Sequence, residues 1–233
     1  MEKNNIKTVS YNNHVAGLIL AAGLSTRMGQ SKPLTDFLEK KLIDRVIQTM
    51  QSAGIEDILV VTGFEQEQVE RYVHDHYPSA RIRTVWNPEY ENGSILTSIK
   101  TGLPELESFE QVFIQLTDLP CISPQTYQRL WQEMLKNGKK AVIPTFKERR
   151  GHPVLIRMSL LPEILAYEGT GGLRGFWKQL GDELAEMPVN DPGCVMDTDT
   201  MEELHEAELY VTGQNSRCGA ENGRNKTTVA GIE

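Results

Sequence analysis

One short segment near the start of the chain combines residue types that bind anions. Residues 20–32 read L-A-A-G-L-S-T-R-M-G-Q-S-K and follow the apolar run 15–20, which is typical of a buried strand. The small residues of the loop allow backbone N–H groups to approach an anion closely. Arg27 and Lys32 add two cations to the same loop. The segment therefore predicts a polyphosphate site, and we interpret it as a nucleotide site.

The alternative is an ordinary turn between a strand and a helix. The segment lacks the spacing G-x-x-x-x-G-K-[ST] of a P-loop and the spacing G-x-G-x-x-G of a dinucleotide-binding loop. A later run, Gly169-Thr170-Gly171-Gly172, also misses the second pattern, because Arg174 stands where its last glycine belongs. The buried strand, the small residues and the two cations together favour the anion site.

Carboxylates that could bind a metal follow two other apolar stretches. Asp118 comes two residues after the end of the predicted strand 112–116, although a lone aspartate there could simply end the strand. Mg²⁺ takes one or two carboxylates together with phosphate oxygens. The run V-M-D-T-D-T at 195–200 offers a second carboxylate. We expect it to be Asp197, because Asp199 could instead cap the helix that follows.

Two further turns contain candidate ligand-binding residues, each with a structural alternative. Asn92-Gly93-Ser94 precedes a predicted helix, so Ser94 either caps the helix or brings its first amides to a ligand. The run Gly151-His152-Pro153 is tight, but a single histidine beside a proline is more often structural than catalytic. The remaining residues form neither a Ser/His/Asp nor a Cys/His pattern, so the sequence predicts no nucleophilic catalysis.

Strands and helices alternate over about the first 140 residues, which predicts βαβ units. The predicted strands are 15–20, 58–61, 82–86, 112–116, 141–144 and 153–156. The predicted helices are 42–53, 65–76, 94–102 and 124–136. This pattern predicts an α/β fold with a doubly wound, mostly parallel sheet and helices on both faces. Ligands of such sheets lie beyond the carboxyl ends of the strands. The glycine loop and Asp118 are both predicted at that edge.

Composition narrows the classes of partner. The chain has 233 residues, of which 39% are hydrophobic, and its net charge of -8 argues against a nucleic-acid partner. No apolar stretch approaches the roughly 20 residues that span a bilayer, and the polar start lacks the apolar middle of a signal peptide. The cysteines Cys121, Cys194 and Cys218 are scattered, which predicts neither a zinc site nor disulfides. We expect a cytoplasmic protein with no membrane partner.

The domain organisation follows from where the apolar periodicity begins and ends. We predict a polar N-terminal extension at 1–14 and a single domain at 15–211. Residues 212–233 are rich in Gly, Asn, Ser, Thr and Arg, and this composition predicts a disordered tail.

Five sequence blocks together resemble the MobA-like NTP-transferase family, and most closely the molybdenum cofactor cytidylyltransferases. Besides the first block, which continues to L-A-A-G-L-S-T-R-M-G-Q-S-K-P-L, they are N-P-E-Y-E-N-G-S-I-L-T-S-I-K-T-G-L (87–103), L-T-D-L-P (116–120), R-G-H-P-V-L-I (150–156) and D-T-D-T-M-E-E-L (197–204). The resemblance covers about residues 15–210 and implies a Rossmann-like nucleotidyltransferase fold. It also implies Mg²⁺-dependent transfer of the NMP of an NTP to a phosphorylated acceptor, with release of pyrophosphate.

The resemblance also implies roles for individual residues of the nucleotide site. Arg27 and Lys32 would hold the triphosphate, Asp118 would bind Mg²⁺, and Asp197 would complete the metal site, with Asp199 less favoured. The remaining residues implied to line the nucleotide pocket are Leu20, Ala21, Ala22, Gly23, Gly93 and Ser94. Ala-Ala-Gly at the start of the loop is similar to the cytidylyl branch, so CTP is favoured over GTP.

The acceptor site carries the main departure from the family pattern. Gly151, His152, Thr170 and Arg174 are the candidate acceptor-binding residues, and the family usually has G-D-x-G-A-R where this chain has G-T-G-G-L-R. The resemblance implies molybdopterin as acceptor and a molybdoenzyme maturation partner. Because Thr170 stands at the acidic position of the pattern, a second hypothesis is that the acceptor is a sugar phosphate, phosphocholine or a phosphonate. A non-catalytic nucleotide-binding assembly factor is the third hypothesis.

Overall fold

A central β-sheet of eight strands runs through the computed structural model, which describes residues 14–23 and 31–213. The described residues form ten strands, eight in this sheet and two in a separate hairpin. In chain order they are β1 (Val15–Ala21), β2 (Asp36–Phe37), β3 (Lys40–Lys41), β4 (Ile58–Thr62), β5 (Ile82–Trp86), β6 (Gln111–Leu116), β7 (Ala141–Phe146), β8 (Arg149–Arg150), β9 (Val154–Arg157) and β10 (Leu184–Pro188). The order across the sheet is β10-β7-β9-β6-β1-β4-β5, with β8 paired to β7. Strands β2 and β3 form a separate hairpin.

Seven α-helices connect these strands within the described residues. They are α1 (Leu42–Ala53), α2 (Gln66–His76), α3 (Ile95–Gly102), α4 (Pro124–Asn137), α5 (Leu161–Ala166), α6 (Gly172–Leu180) and α7 (Met201–Val211). Short 3₁₀ turns at Lys32–Leu34 and Pro192–Val195 lie between them. In the parts of the chain that the structure covers, no helix has the length and apolar character needed to cross a bilayer.

The strand directions confirm the mostly parallel sheet. Strand β1 pairs in parallel with both β4 and β6, and β4 pairs in parallel with β5. Strand β9 runs antiparallel to both of its neighbours, β6 and β7, and β10 is parallel to β7. Because Leu20 of β1 is in register with Val61 of β4 and Leu116 of β6, these three strands end at the same edge of the sheet.

Both faces of the sheet are covered, which confirms the doubly wound arrangement. Alternate residues of β1 point to opposite sides. Ile19 and Ala21 belong to the core formed with α1, α2 and α4, whereas Leu18 and Leu20 belong to the core formed with α3, α5 and α6. All four side chains are at most 7% exposed. Burial of each large apolar side chain contributes about 1.5–3 kcal/mol, which makes β1 the rigid support of the loop that follows it.

The end of the domain differs most from the sequence prediction. The sequence does not predict β10, because its residues L-A-E-M-P lie at the edge of the sheet and are only partly buried. It also does not predict α5, a helix of six residues. Residues 1–13 of the predicted extension and 214–233 of the predicted tail lie outside the described residues.

Candidate active site

Hydrogen bonds join the ends of β1 and β6 to a distant segment near residue 198. The amide N and the Oγ1 of Thr117 donate to the carbonyl oxygen of Leu20 at 3.3 and 3.2 Å. Thr198, which is fully buried, donates from Oγ1 to the backbone oxygen of Asp118 at 3.2 Å. The loop after β6 is therefore fixed on one side to β1 and on the other to the segment that carries Asp197 and Asp199.

A buried glutamine shapes the loop that presents Asp118. Gln115 is inaccessible to solvent, and its Nε2 donates to the carbonyl oxygens of Leu116 at 2.8 Å and Leu119 at 3.2 Å. Its Oε1 accepts the hydroxyl of Tyr127 at 3.2 Å. Because Gln115, Leu119 and Tyr127 are buried, the geometry of the turn that carries Asp118 is set by the fold rather than by solvent.

Lys32 lies between two of the candidate metal-binding carboxylates. Its Nζ donates to Oδ2 of Asp118 at 3.3 Å and also pairs with Oδ1 of Asp199. Lys32 is only 15% exposed, so its charge is little screened by water. Asp199 does not cap α7, because Thr200 takes that position and its Oγ1 accepts the amide of Glu203.

The carboxylates retain unused capacity for a cation. Oδ1 of Asp118 is buried and has no hydrogen-bond partner among the described residues, a costly arrangement that a bound cation would relieve. Desolvation, and then repulsion from Glu203, Asp199 and Asp118, raise the pKa of Asp197. Within 14–23 and 31–213 no group of three or more His, Cys, Asp or Glu residues forms a metal cluster. Hard carboxylate oxygens in this small number fit Mg²⁺, which takes its other ligands from phosphates and water.

A cavity of about 240 Å³ opens beside these charges and brings together most of the predicted nucleotide-binding residues. The predicted residues that line it are Leu20, Ala21, Ala22, Gly23, Lys32, Gly93, Ser94 and Asp118. We call it the donor cavity. Arg27 lies outside the described residues, so its predicted role is untested, and neither Asp197 nor Asp199 is part of the described lining.

Several residues of the donor cavity are not predicted from the sequence, and Asn87 is the clearest of them. Asn87 is 1% exposed; its Nδ2 donates to Oγ of Ser98 at 3.1 Å, and its Oδ1 accepts the amide of Glu89 at 3.0 Å. Asp118 is predicted because it lies just beyond the carboxyl end of a strand. Asn87 follows β5 directly, so the same argument applies to Asn87. The other missed lining residues are Pro33, Tyr90, Glu91, Ile95, Ser98, Leu116 and Thr117.

The structure gives Ser94 a capping position at the start of α3. Its amide donates to Oγ1 of Thr97 at 3.0 Å, and its carbonyl accepts the amide of Thr97 at 2.9 Å. Gly93 is required by close packing, because a Cβ there would lie 2.5 Å from the carbonyl oxygen of Glu89. Ser94 also lines the donor cavity, so the two readings of this turn are compatible.

A second cavity of about 520 Å³ contains three of the four candidate acceptor-binding residues. We call it the acceptor cavity; its lining consists of Ser94, Ile95, Ile143, Arg150, Gly151, His152, Val154, Gly171, Gly172, Leu173, Arg174 and Trp177. Thr170 does not line it, and its carbonyl oxygen instead accepts the hydroxyl of Tyr167 at 3.1 Å. Gly171 and Gly172 both have positive φ values, 89° and 55°, so this run forms the turn into α6.

Backbone contacts to Cys194 hold the Gly151-His152 turn in place. The amide of His152 donates to the carbonyl oxygen of Cys194 at 3.0 Å, and a Cβ on Gly151 would lie 2.2 Å from that oxygen. His152 Nδ1 lies 3.3 Å from the carbonyl oxygen of Ile114, to which it donates. Burial lowers the pKa of His152, so the ring is neutral at pH 7. The His152–Pro153 peptide bond is cis.

The two cavities adjoin each other at the start of α3. Ser94 and Ile95 line both of them. A ligand in the donor cavity and a ligand in the acceptor cavity would therefore meet beside these two residues. The arrangement suits a reaction between two bound molecules, one of which meets the charges of Lys32 and Asp118.

Comparison with known proteins agrees with this arrangement. The chain is 27% identical over 197 residues to the molybdenum cofactor cytidylyltransferase of Escherichia coli, a match that covers 84% of this chain and 96% of that protein. It is 30% identical over 152 residues to a probable molybdenum cofactor guanylyltransferase of Methanosarcina mazei, covering 64% of this chain and 66% of that one.

Solved structures show the same fold at lower sequence identity. A nucleotidyl transferase from Methanothermobacter thermautotroptrophicus superposes with a TM-score of 0.72 at 19% identity, covering 87% of this chain and all of that one. The family model of the MobA-like NTP transferase domain matches residues 17–184, which include the donor cavity and the acceptor cavity. The chain belongs to the MobA-like NTP transferase family.

Proposed function

We propose that this protein transfers the NMP of an NTP, preferably CTP, to a phosphorylated acceptor in a Mg²⁺-dependent reaction that releases pyrophosphate. The observation that carries the proposal is the junction of two cavities at Ser94 and Ile95, with Lys32 and Asp118 in the lining of one of them. Such a transfer requires two substrates bound side by side, with charged side chains beside one of them.

The chemistry needs positioning and charge neutralisation rather than a nucleophilic side chain. An oxygen of the acceptor phosphate attacks the α-phosphorus, and a new P–O bond forms. The bond from the α-phosphorus to its bridging oxygen breaks, and pyrophosphate leaves with that electron pair. Lys32, which lines the donor cavity, would stabilise the charge that grows on the pyrophosphate, and Arg27 stays a predicted second cation.

The carboxylates near Lys32 are the proposed magnesium ligands. Asp118 supplies the buried Oδ1 that has no partner among the described residues, and Asp197 is the second ligand predicted from sequence. Asp199, which shares Lys32 with Asp118, is the alternative second ligand. When bound, Mg²⁺ would neutralise phosphate charge as a Lewis acid.

The acceptor and the base are proposed from the relatives. The two relatives named above act, by their names, on the molybdenum cofactor, which supports molybdopterin as acceptor and a molybdoenzyme as maturation partner. One is a cytidylyltransferase and the other a probable guanylyltransferase, so the preference for CTP rests on the Ala-Ala-Gly start of the loop and on the longer match. Thr170 lies outside the lining of the acceptor cavity, which weakens the case for another acceptor that rested on this residue.

A pyrophosphate-release screen tests the proposal. CTP, GTP, ATP and UTP are each combined with Mg²⁺ and with molybdopterin, a sugar 1-phosphate, phosphocholine or a phosphonate, and the Asp118→Asn variant is the matched control. We expect release that requires molybdopterin and is fastest with CTP. Release with another acceptor would support the second hypothesis, and no release with any pair would support the non-catalytic one.

A further inference from the structure

Ile95 is an exposed apolar residue at the place where the two cavities meet. It is the first residue of α3 and is 44% exposed, whereas Leu96 and Ile99 of the same helix are 7% and 0% exposed. Packing of α3 on the sheet therefore uses Leu96 and Ile99 and leaves Ile95 outside the core. Single exposed apolar side chains are common on protein surfaces, so the location of Ile95 is more informative than its exposure.

Its position separates Ile95 from the other exposed apolar side chains. The other large hydrophobic residues that are exposed in the described part of the chain are Leu38, Trp86, Leu135, Leu165 and Met201. None of these is part of the described lining of the donor or the acceptor cavity, whereas Ile95 lines both. Substrates that fill the two cavities would cover its side chain on both sides.

We propose, on the basis of the proposed function, that Ile95 is a positioning residue that excludes water from the α-phosphorus when both substrates are bound. Water and the acceptor phosphate are competing nucleophiles at that atom. Attack by water would break the same bond, release pyrophosphate and yield NMP and a proton instead of the joined product. Ile95 cannot donate or accept a hydrogen bond, so a water molecule beside it would be poorly held.

The neighbouring groups explain why an apolar residue matters at this position. Ser94 lies beside Ile95 in both linings, and Lys32 and Asp118 lie elsewhere in the donor cavity. All three can hold water by hydrogen bonds. A smaller or polar residue at 95 would open a path from solvent to the reacting phosphate that these groups would readily hydrate.

The test measures the ratio of transfer to hydrolysis with CTP labelled at the α-phosphate, Mg²⁺ and molybdopterin. Chromatography separates CMP from the joined product. We expect Ile95→Ala and Ile95→Ser to lower this ratio by about tenfold, the effect of a small change in relative barrier heights. Ile95→Met keeps the apolar bulk and should keep the ratio within about twofold. Leu165→Ala removes a similarly exposed side chain, 42%, that lines neither cavity, and should leave the ratio unchanged.

The outcomes separate this inference from the proposed function. A wild-type protein that forms the joined product, together with an Ile95→Ala variant of unchanged ratio, would overturn the role of Ile95 alone. An equal fall of the ratio in Leu165→Ala would also overturn it, because the effect would then be general. A wild-type protein that forms neither product would overturn the proposed function and this inference with it.

Discussion

The donor cavity and the acceptor cavity are built in different ways. In the donor cavity, charged side chains from distant segments meet, and Lys32 pairs with Asp118 and Asp199. In the acceptor cavity, backbone contacts define the shape, with Gly151 packed against the carbonyl oxygen of Cys194. Arg150, in its lining, is bound to Glu186 at 2.9 Å. Changes of charge should therefore affect the donor side most, and changes of volume the acceptor side.

The largest effect is expected when the donor site loses a charge without a change of shape. Asp118→Asn should lower the rate of pyrophosphate release by about a thousandfold, because it removes a carboxylate that would hold the Mg²⁺ that neutralises phosphate charge. Because the side chain keeps its size, thermal unfolding of the variant should stay close to that of the wild type. A rate within threefold of the wild type would show that the donor cavity does not depend on this charge.

The second prediction concerns metal affinity without nucleotide. Lys32→Met should raise the affinity for Mn²⁺, used as a spectroscopic substitute for Mg²⁺, by about tenfold. In the wild type the Lys32 ammonium neutralises the carboxylates of Asp118 and Asp199, and without it they attract the metal ion more strongly. Calorimetry or electron paramagnetic resonance measures this affinity. The matched control is Lys41→Met. Lys41 pairs with Asp36 at 2.7 Å, and neither residue is part of the described lining of the donor cavity. An unchanged or weaker affinity in Lys32→Met would contradict the competition between lysine and metal.

The acceptor side should instead be sensitive to volume. Gly151→Ala should lower the free energy of unfolding by about 1–3 kcal/mol, because its Cβ would overlap the backbone of Cys194. It should also raise KM for the acceptor more than KM for the nucleotide. Arg149→Ala, an exposed residue of the same hairpin, is the control. If Gly151→Ala affected KM for the nucleotide more strongly, the assignment of the two cavities would be reversed.

The smallest effect is a pH dependence of stability that comes from His152. Burial lowers its pKa from the ordinary value of 6.5, so the unfolded chain binds this proton at a pH where the folded chain does not. The free energy of unfolding should therefore fall as the pH drops below about 6.5. In urea titrations between about pH 7.5 and about pH 5.5, His152→Gln should lose less stability than the wild type. Equal losses in the two proteins would contradict this account, and His74→Gln serves as the exposed control.

The sequence predicts the donor side well because many of its residues lie in short segments that follow predicted strands. A buried strand followed by a loop identifies residues 20–23, and the same logic places Asp118 at the same edge. The pairing of Lys32 with Asp199 is not predictable in this way, since it joins positions 167 residues apart. Asn87 also follows a predicted strand, but it is not among the predicted site residues.

The acceptor side is less predictable because it is assembled from tertiary contacts. Ile143 and Trp177 come from β7 and α6, and neither belongs to a motif. The antiparallel direction of β9, which brings Gly151 and His152 to this cavity, follows from strand pairing rather than from local pattern. Thr170, chosen from the family pattern, lies outside the lining, although Gly171 and Gly172 of the same turn belong to it.

The most direct test of the central claim is identification of the reaction product by mass spectrometry. The wild-type protein is incubated with CTP, Mg²⁺ and molybdopterin, in parallel with Asp118→Asn. We predict a product whose mass equals acceptor plus CMP less one water, formed together with one pyrophosphate and absent from the variant. Unchanged CTP and acceptor in the wild-type reaction, or equal product from both proteins, would contradict the claim that these two cavities perform a nucleotidyl transfer that depends on Asp118.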